Sequence, residues 1–192
     1  MKKTESDLKS HYPVKDGKVL LEIKLSSPAQ ILNPFSPVPF HEKELTNATE
    51  EYIENTVRDF PDKTRFRIVL YLPASIIGTP EVQALPEVVR NHFQYKVMDM
   101  DRKQRHLMKF VRNTIFTGFI VLAICIFIST AILKIFGDSL PVVFIASSIE
   151  ILGQIAIWSP LIVFMFQMWP LREAQKLYQK ITGMEIVVEQ CP

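Results

Sequence analysis

Glycine is scarce in this sequence, and its six glycines fall into neither GxGxxG nor GxxxxGK spacing. That removes the backbone cradles with which nucleotide-binding folds hold phosphates. Cysteine is scarcer still. Cys125 lies inside an apolar run and Cys191 near the tail, which gives neither a disulfide framework nor metal-ligand spacing. The histidines His11, His41, His92 and His106 are scattered, with no HExxH pattern, so no metal is expected. There is no GxSxG and no Cys–His pair to supply a nucleophile. No catalytic residue and no cofactor are therefore assigned, and the chain is not expected to be an enzyme. A formal net charge of +2 is too small to argue for nucleic acid. The opening MKKTESDLKSHYP has lysines but no apolar stretch behind them, so a secretory signal peptide is not expected.

What the sequence has is a split that the averages hide. Residues 1–112 are charged, and nearly all long apolar runs follow Arg112. From Asn113 to Leu133 no residue carries a charge. A helix of that length covers roughly 30 Å, the thickness of the hydrocarbon layer. A second apolar stretch, 141–169, ends at Trp169, where an aromatic anchor belongs. It exceeds the spanning length, so tilt or an interfacial end is expected. The 134–140 connection is short, so the two spans should form an antiparallel hairpin.

Orientation follows from the cations. Lys96, Arg102, Lys103, Arg105, Lys109 and Arg112 precede the first span, and Arg172, Lys176 and Lys180 follow the second. The connection offers only Lys134, with Asp138 nearby. The excess of Lys and Arg places both termini in the cytosol. The cluster Arg102, Lys103, Arg105, Lys109 and Arg112 has two readings: it sets topology, or it recognises anionic lipid headgroups.

The remaining residues read as a small α/β domain. Lys18–Leu25 alternates, with Val19, Leu21, Ile23 and Leu25 on one face of a strand. Asn47 with Glu50 suggests a capping box opening a helix that buries Ile53, Val57 and Phe60 and stops at Pro61. Thr64–Leu72 alternates again, and strand–helix–strand of this size favours parallel pairing. Thr79-Pro80-Glu81 starts another helix, with a restart possible at Pro86. Its stripe of Val89, Phe93, Val97 and Met100 should pack on the sheet, and nothing breaks it before the first span. After the second span, Leu171–Ile181 reads as a short helix ended by Gly183. A terminal strand, Met184–Glu189, follows. Its outward Glu185 and Glu189 suit a neighbour carrying Arg65 and Arg67. An isolated strand is not stable, so this one should complete the N-terminal sheet. The expected architecture is a three-stranded mixed sheet with helices, plus an α-helical transmembrane hairpin. Its parts are residues 1–112 (cytosolic domain and basic helix), 113–133, 134–140, 141–169 and 170–192 (cytosolic helix and strand).

Glu150 is the residue that most invites a function. An ionisable group in a span costs a few kcal/mol on insertion scales and normally faces a bundle interior or a wet cavity. Ser147, Glu150 and Gln154 share a helical stripe that Trp158 continues, while Ala146, Gly153 and Ala156 permit close helix approach. Three readings stand: a polar path between protomers, a buried Glu150 hydrogen-bonded across an oligomer interface, and a shallow Glu150 reaching toward water. The first two require a homo-oligomer. Pro160 should kink the span, with Ser159 able to re-satisfy a freed carbonyl. The loop containing Pro34, Phe35, Pro37, Pro39 and Phe40 either docks a partner as an extended proline segment or caps the sheet with its two phenylalanines. His41 and Glu42 beside it suggest a cap without supporting pattern.

The order LNPFSPVPFHEKELTNATEEYIENTVRDFP, RIVLYLP, EVVRNHFQYK and QIAIWSPLIVFMFQMWPL resembles a family of uncharacterised bacterial two-span membrane proteins. That family has a Pro-x-Pro-Phe loop, an acidic helix ending in Pro, and a second span with a Trp-x-Pro-Leu core and a Trp-Pro end. The likeness covers roughly residues 30–182. This chain departs from it around the proline of the second span, where Ser159 and Ile162 replace charges and Gln167 replaces an acidic residue. The resemblance implies a bacterial inner-membrane location and no established activity. Two classes of function remain. One is an oligomeric membrane protein carrying a cytosolic sensing, scaffold or interaction module. The other is a small oligomeric ion channel or transporter with its polar seam around Glu150. The nearly wholly apolar first span favours the former.

Overall fold

The computed structural model describes residues 12–35, 39–40 and 43–191. The strands are β1 (Val14–Lys15), β2 (Lys18–Lys24), β3 (Phe66–Leu72) and β4 (Glu185–Gln190), and the helices α1 (Asn47–Asp59), α2 (Pro80–Phe136) and α3 (Leu140–Thr182). The chain divides into two compact units. One joins the residues up to Asp99 with those from Ala174 onward, and the other is Met100–Glu173.

In the first unit a four-stranded mixed sheet runs β1-β2-β3-β4. The expected three strands are thus corrected to four. The extra one is β1, folded back on β2 by Asp16 and Gly17 at φ 53° and 71°. Two positive φ values in a two-residue turn match the right-handed twist of the strands it joins. The Asp-Gly pair was the sequence signal for it. The parallel pairing of β2 with β3 is as expected.

The C-terminal strand lies parallel on β3 with Arg67 opposite Glu185. The guanidinium meets the carboxylate at 2.8 Å, and Lys18 reaches the same oxygen at 2.7 Å. These cations hold the Glu185 carboxyl below its ordinary value. The sheet is therefore completed by residues from the far end of the chain.

The core lies on the helix-covered face. Val19, Leu21, Ile68, Leu70 and Leu72 from the strands are buried, as are Ile53 and Val57 of α1. Val82, Leu85, Val88, Val89 and Phe93 of α2 and Ile181 of α3 join them. Phe60 meets Phe66 edge-on at 5.4 Å, and the Phe93 ring lies 6.1 Å from Tyr178. The cap of α1 differs from the expected one. Thr46, not Asn47, is the N-cap, and its hydroxyl accepts from the Thr49 amide. Glu50 is thereby released for another role. In the proline loop Phe35 is 90% exposed and caps nothing, whereas Phe40 is half-buried. Pro37, His41 and Glu42 lie outside the described residues.

The second unit is a helical hairpin. The Gly137 N–H closes on the Leu133 carbonyl at 3.0 Å, with Gly137 at φ 76° as the left-handed residue that ends α2. After this turn α3 starts at Leu140. Both helices are long and apolar enough to cross a membrane. Their outward residues include Phe116, Phe127, Phe144, Trp158 and Phe166, all exposed, a surface that water does not suit. Helix α3 continues unbroken through Pro160 and Pro170, so Leu171–Ile181 is its last portion, not a separate helix. Pro86 likewise lies within α2 and starts no new helix.

Candidate functional site

The hairpin holds its most costly polar group on a named partner. The Ser129 hydroxyl donates to Glu150 Oε1 at 2.7 Å, and Ser129 is fully buried. Close packing permits this contact. A Cβ at Gly153 would stand 2.8 Å from that of Cys125, and one at Gly118 would stand 2.9 Å from the Ala156 carbonyl oxygen. Gly118, Leu122, Cys125 and Ser129 recur at helical spacing, and Ala146 and Gly153 answer them from α3, both buried. Small residues bring the backbones close enough for a short serine side chain to reach across. Ser129 was missed in the sequence, where the first span reads as almost wholly apolar. The Ser129-Thr130 pair inside the run was its only trace.

The expected seam is thus divided. Glu150 is half-buried and turned toward the hairpin, whereas Ser147 and Gln154 are exposed on its outer surface. Pro160 is buried and Ser159 exposed. Thr114, Thr117, Thr130 and Ser148 each return a hydroxyl proton to a carbonyl of their own helix. Ser159 does not do so among the described residues.

The basic cluster is divided too. At 100° per residue, Arg102 and Lys103 share a face with His106, Leu107 and Phe110, while Arg105, Lys109 and Arg112 lie on the adjoining one. The first group lines a groove of about 460 Å³ that Gln167 and Leu171 close from α3.

The α/β unit contains a polar cluster that sequence reasoning did not find. His92 is buried, accepting the Leu45 amide proton at Nδ1 (3.2 Å) and meeting Glu50 Oε2 with Nε2 at 3.0 Å. Because Nδ1 accepts, Nε2 is left to donate to the carboxylate. The Lys96 ammonium lies 2.5 Å from the other Glu50 oxygen. The hydrogen bond from His92, opposed by burial and reinforced by Lys96, holds the Glu50 carboxyl down at about 2. Burial pushes neighbouring Glu54 up, and Glu50 adds to the rise. Burial also raises Tyr178, with Glu54 beside it. The arrangement ties the loop before α1 to α2. His92 and Lys96, four apart on α2, grip one carboxylate of α1. That spacing was present in the sequence but has no meaning until α1 is placed beside α2.

No protein family, curated protein or solved structure matches the chain.

Proposed function

We propose that this chain is an oligomeric integral membrane protein whose α2–α3 hairpin anchors a cytosolic α/β module for sensing, scaffolding or protein interaction. The observation that carries this reading is the hairpin's outer surface of exposed aromatic and aliphatic side chains, flanked at one end by cations. Such a surface is stable in lipid and not in water, and the cation excess favours cytosolic termini. A bacterial inner membrane is what the sequence resemblance implies, and it stands here as part of the proposal. The exposed Ser147 and Gln154 support oligomerisation, since a second copy offers partners that hydrocarbon does not.

The same exposed Ser147 and Gln154 favour a second reading, a small oligomeric channel whose path they line. Against it stands Glu150, which already takes a proton donor from within its own hairpin. Counting protomers of the purified protein and measuring ion flux in liposomes, for wild type and Glu150→Gln, separates the two. The anchored module predicts an oligomer with no flux in either protein. Flux in the wild type, whether or not the substitution abolishes it, would establish the channel instead.

A further inference from the structure

We propose that the groove between residues 102–110 of α2 and 167–171 of α3 is a binding site for one acidic glycerophospholipid, held by its phosphate. The inference rests on the membrane reading but goes beyond it, from a surface that tolerates lipid to a site that selects one. Three features of the groove point to that ligand.

Its charge is of one sign. Arg102, Lys103 and His106 supply every titratable group of the lining, and Gln167 adds a neutral amide donor. Arginine and lysine at a span end attract anionic headgroups, and the arginine fork matches two phosphate oxygens. Acids flank the lining without entering it: Asp99 and Asp101 precede it on α2, where Lys103 already has a partner, and on α3 Glu173 accepts the Trp169 indole N–H.

Its floor is apolar. Leu107, Phe110 and Leu171 supply that apolar surface in a shallow, open depression, whose volume of about 460 Å³ accommodates more than a bare phosphate. A free anion would find cations but gain nothing from that floor. A lipid covers it with glycerol and the first methylenes of its chains.

Its depth is right for a headgroup. The α2 portion ends three residues before the uncharged run opens at Asn113, and Gln167 and Leu171 bracket Trp169 at the end of the second run. Lipid phosphates lie at that boundary of the hydrocarbon layer. The Gln104 side chain donates to the Leu171 carbonyl at 3.5 Å, which joins the two walls.

The test is native mass spectrometry of the full-length protein, released from micelles containing equal amounts of phosphatidylglycerol and phosphatidylcholine. One phosphatidylglycerol per protomer should be retained in preference. Arg102→Gln with Lys103→Gln should lower that preference roughly fivefold for each cation removed. Lys109→Gln with Arg112→Gln removes the same charge from the adjoining face and should leave most of the preference. Arg102→Lys, which keeps the charge, should retain more lipid than Arg102→Gln at equal helicity, so lost fold and lost charge are told apart. Equal retention of both lipids by the wild type would overturn the proposal. So would equal losses in the two double variants, or displacement of the lipid by inorganic phosphate. Failure of the membrane reading itself would show earlier, as a protein that stays monodisperse without detergent.

Discussion

The Ser129 hydroxyl and the Glu150 carboxyl meet at 2.7 Å across the two apolar helices, the buried serine of one donating to the half-buried carboxyl of the other. The contact gives Glu150 a structural role within one chain. Ser129→Ala should destabilise the hairpin by about 0.6–1.7 kcal/mol, the range of hydrogen bonds between membrane helices. Reversible unfolding in mixed micelles measures it. If Ser129→Ala and Glu150→Leu prove additive when combined, the two side chains are not coupled.

Close approach is the condition for that bond. Gly153→Val should force the Cys125 and Leu122 side chains away and cost about 1–3 kcal/mol, the usual penalty for overpacking. Gly118→Val meets the Ala156 carbonyl oxygen, which is backbone and yields less readily, so it should be the more damaging. The same micelle titration ranks the two.

Glu50 should give the α/β unit a specific acid sensitivity. Its carboxyl is lowered from 4.5 to about 2, so its charged form stabilises the fold fully above about 4.5, and that contribution disappears as pH falls toward about 2. Glu54 acts oppositely. Its value is raised, so the folded state takes up that proton first and stability gains as pH falls. Glu50→Gln should flatten the loss across the acid window by about 1–2 kcal/mol after solvent screening, and Glu54→Gln should steepen it. Urea midpoints of the full chain, followed by α/β-specific hydrogen exchange, read both slopes.

The C-terminal strand should be integral to the sheet and not an appendage. Ile186 is buried opposite Ile68, and Ile186→Ala should destabilise the unit by about 2–4 kcal/mol in the same hydrogen-exchange experiment. Glu185→Arg sets like charge against Arg67 and Lys18, and Arg67→Glu in the same chain should recover part of the loss. No recovery would mean that the strand pairing, not the charge pairing, fixes the register.

Local patterns were legible in proportion to how local their causes are. Alternation placed β2, β3 and β4, and the charge reading held for Glu185 opposite Arg67 but not for Glu189, which faces Tyr71, or Arg65, which precedes β3. The two long apolar helices were legible because their apolar runs, broken by charge only at Glu150, are of bilayer length. The Thr46 cap was missed because Asn47–Glu50 carries the same spacing as Thr46–Thr49, and only backbone conformation decides between them. Glu50 with His92 and Lys96, and Ser129 with Glu150, could not be read at all. Each joins separate helices; Glu150 alone was marked as needing a partner, and nothing near it named Ser129. The polar stripe was read as a unit because its members share a helical face. Yet at the edge of a close-packed contact a single face divides, with Glu150 turning in and Ser147 and Gln154 turning out.

The central claim is that the hairpin crosses a bilayer with both chain ends on the cytosolic side. The exposed thiol of Cys191 and a new one from Asp138→Cys report the two sides directly, in a Cys125→Ala background. A membrane-impermeant maleimide applied to intact cells should modify position 138 and leave Cys191 untouched until the cells are lysed. Labelling of Cys191 from outside, or of neither position after the protein has washed free in alkaline carbonate, would contradict it.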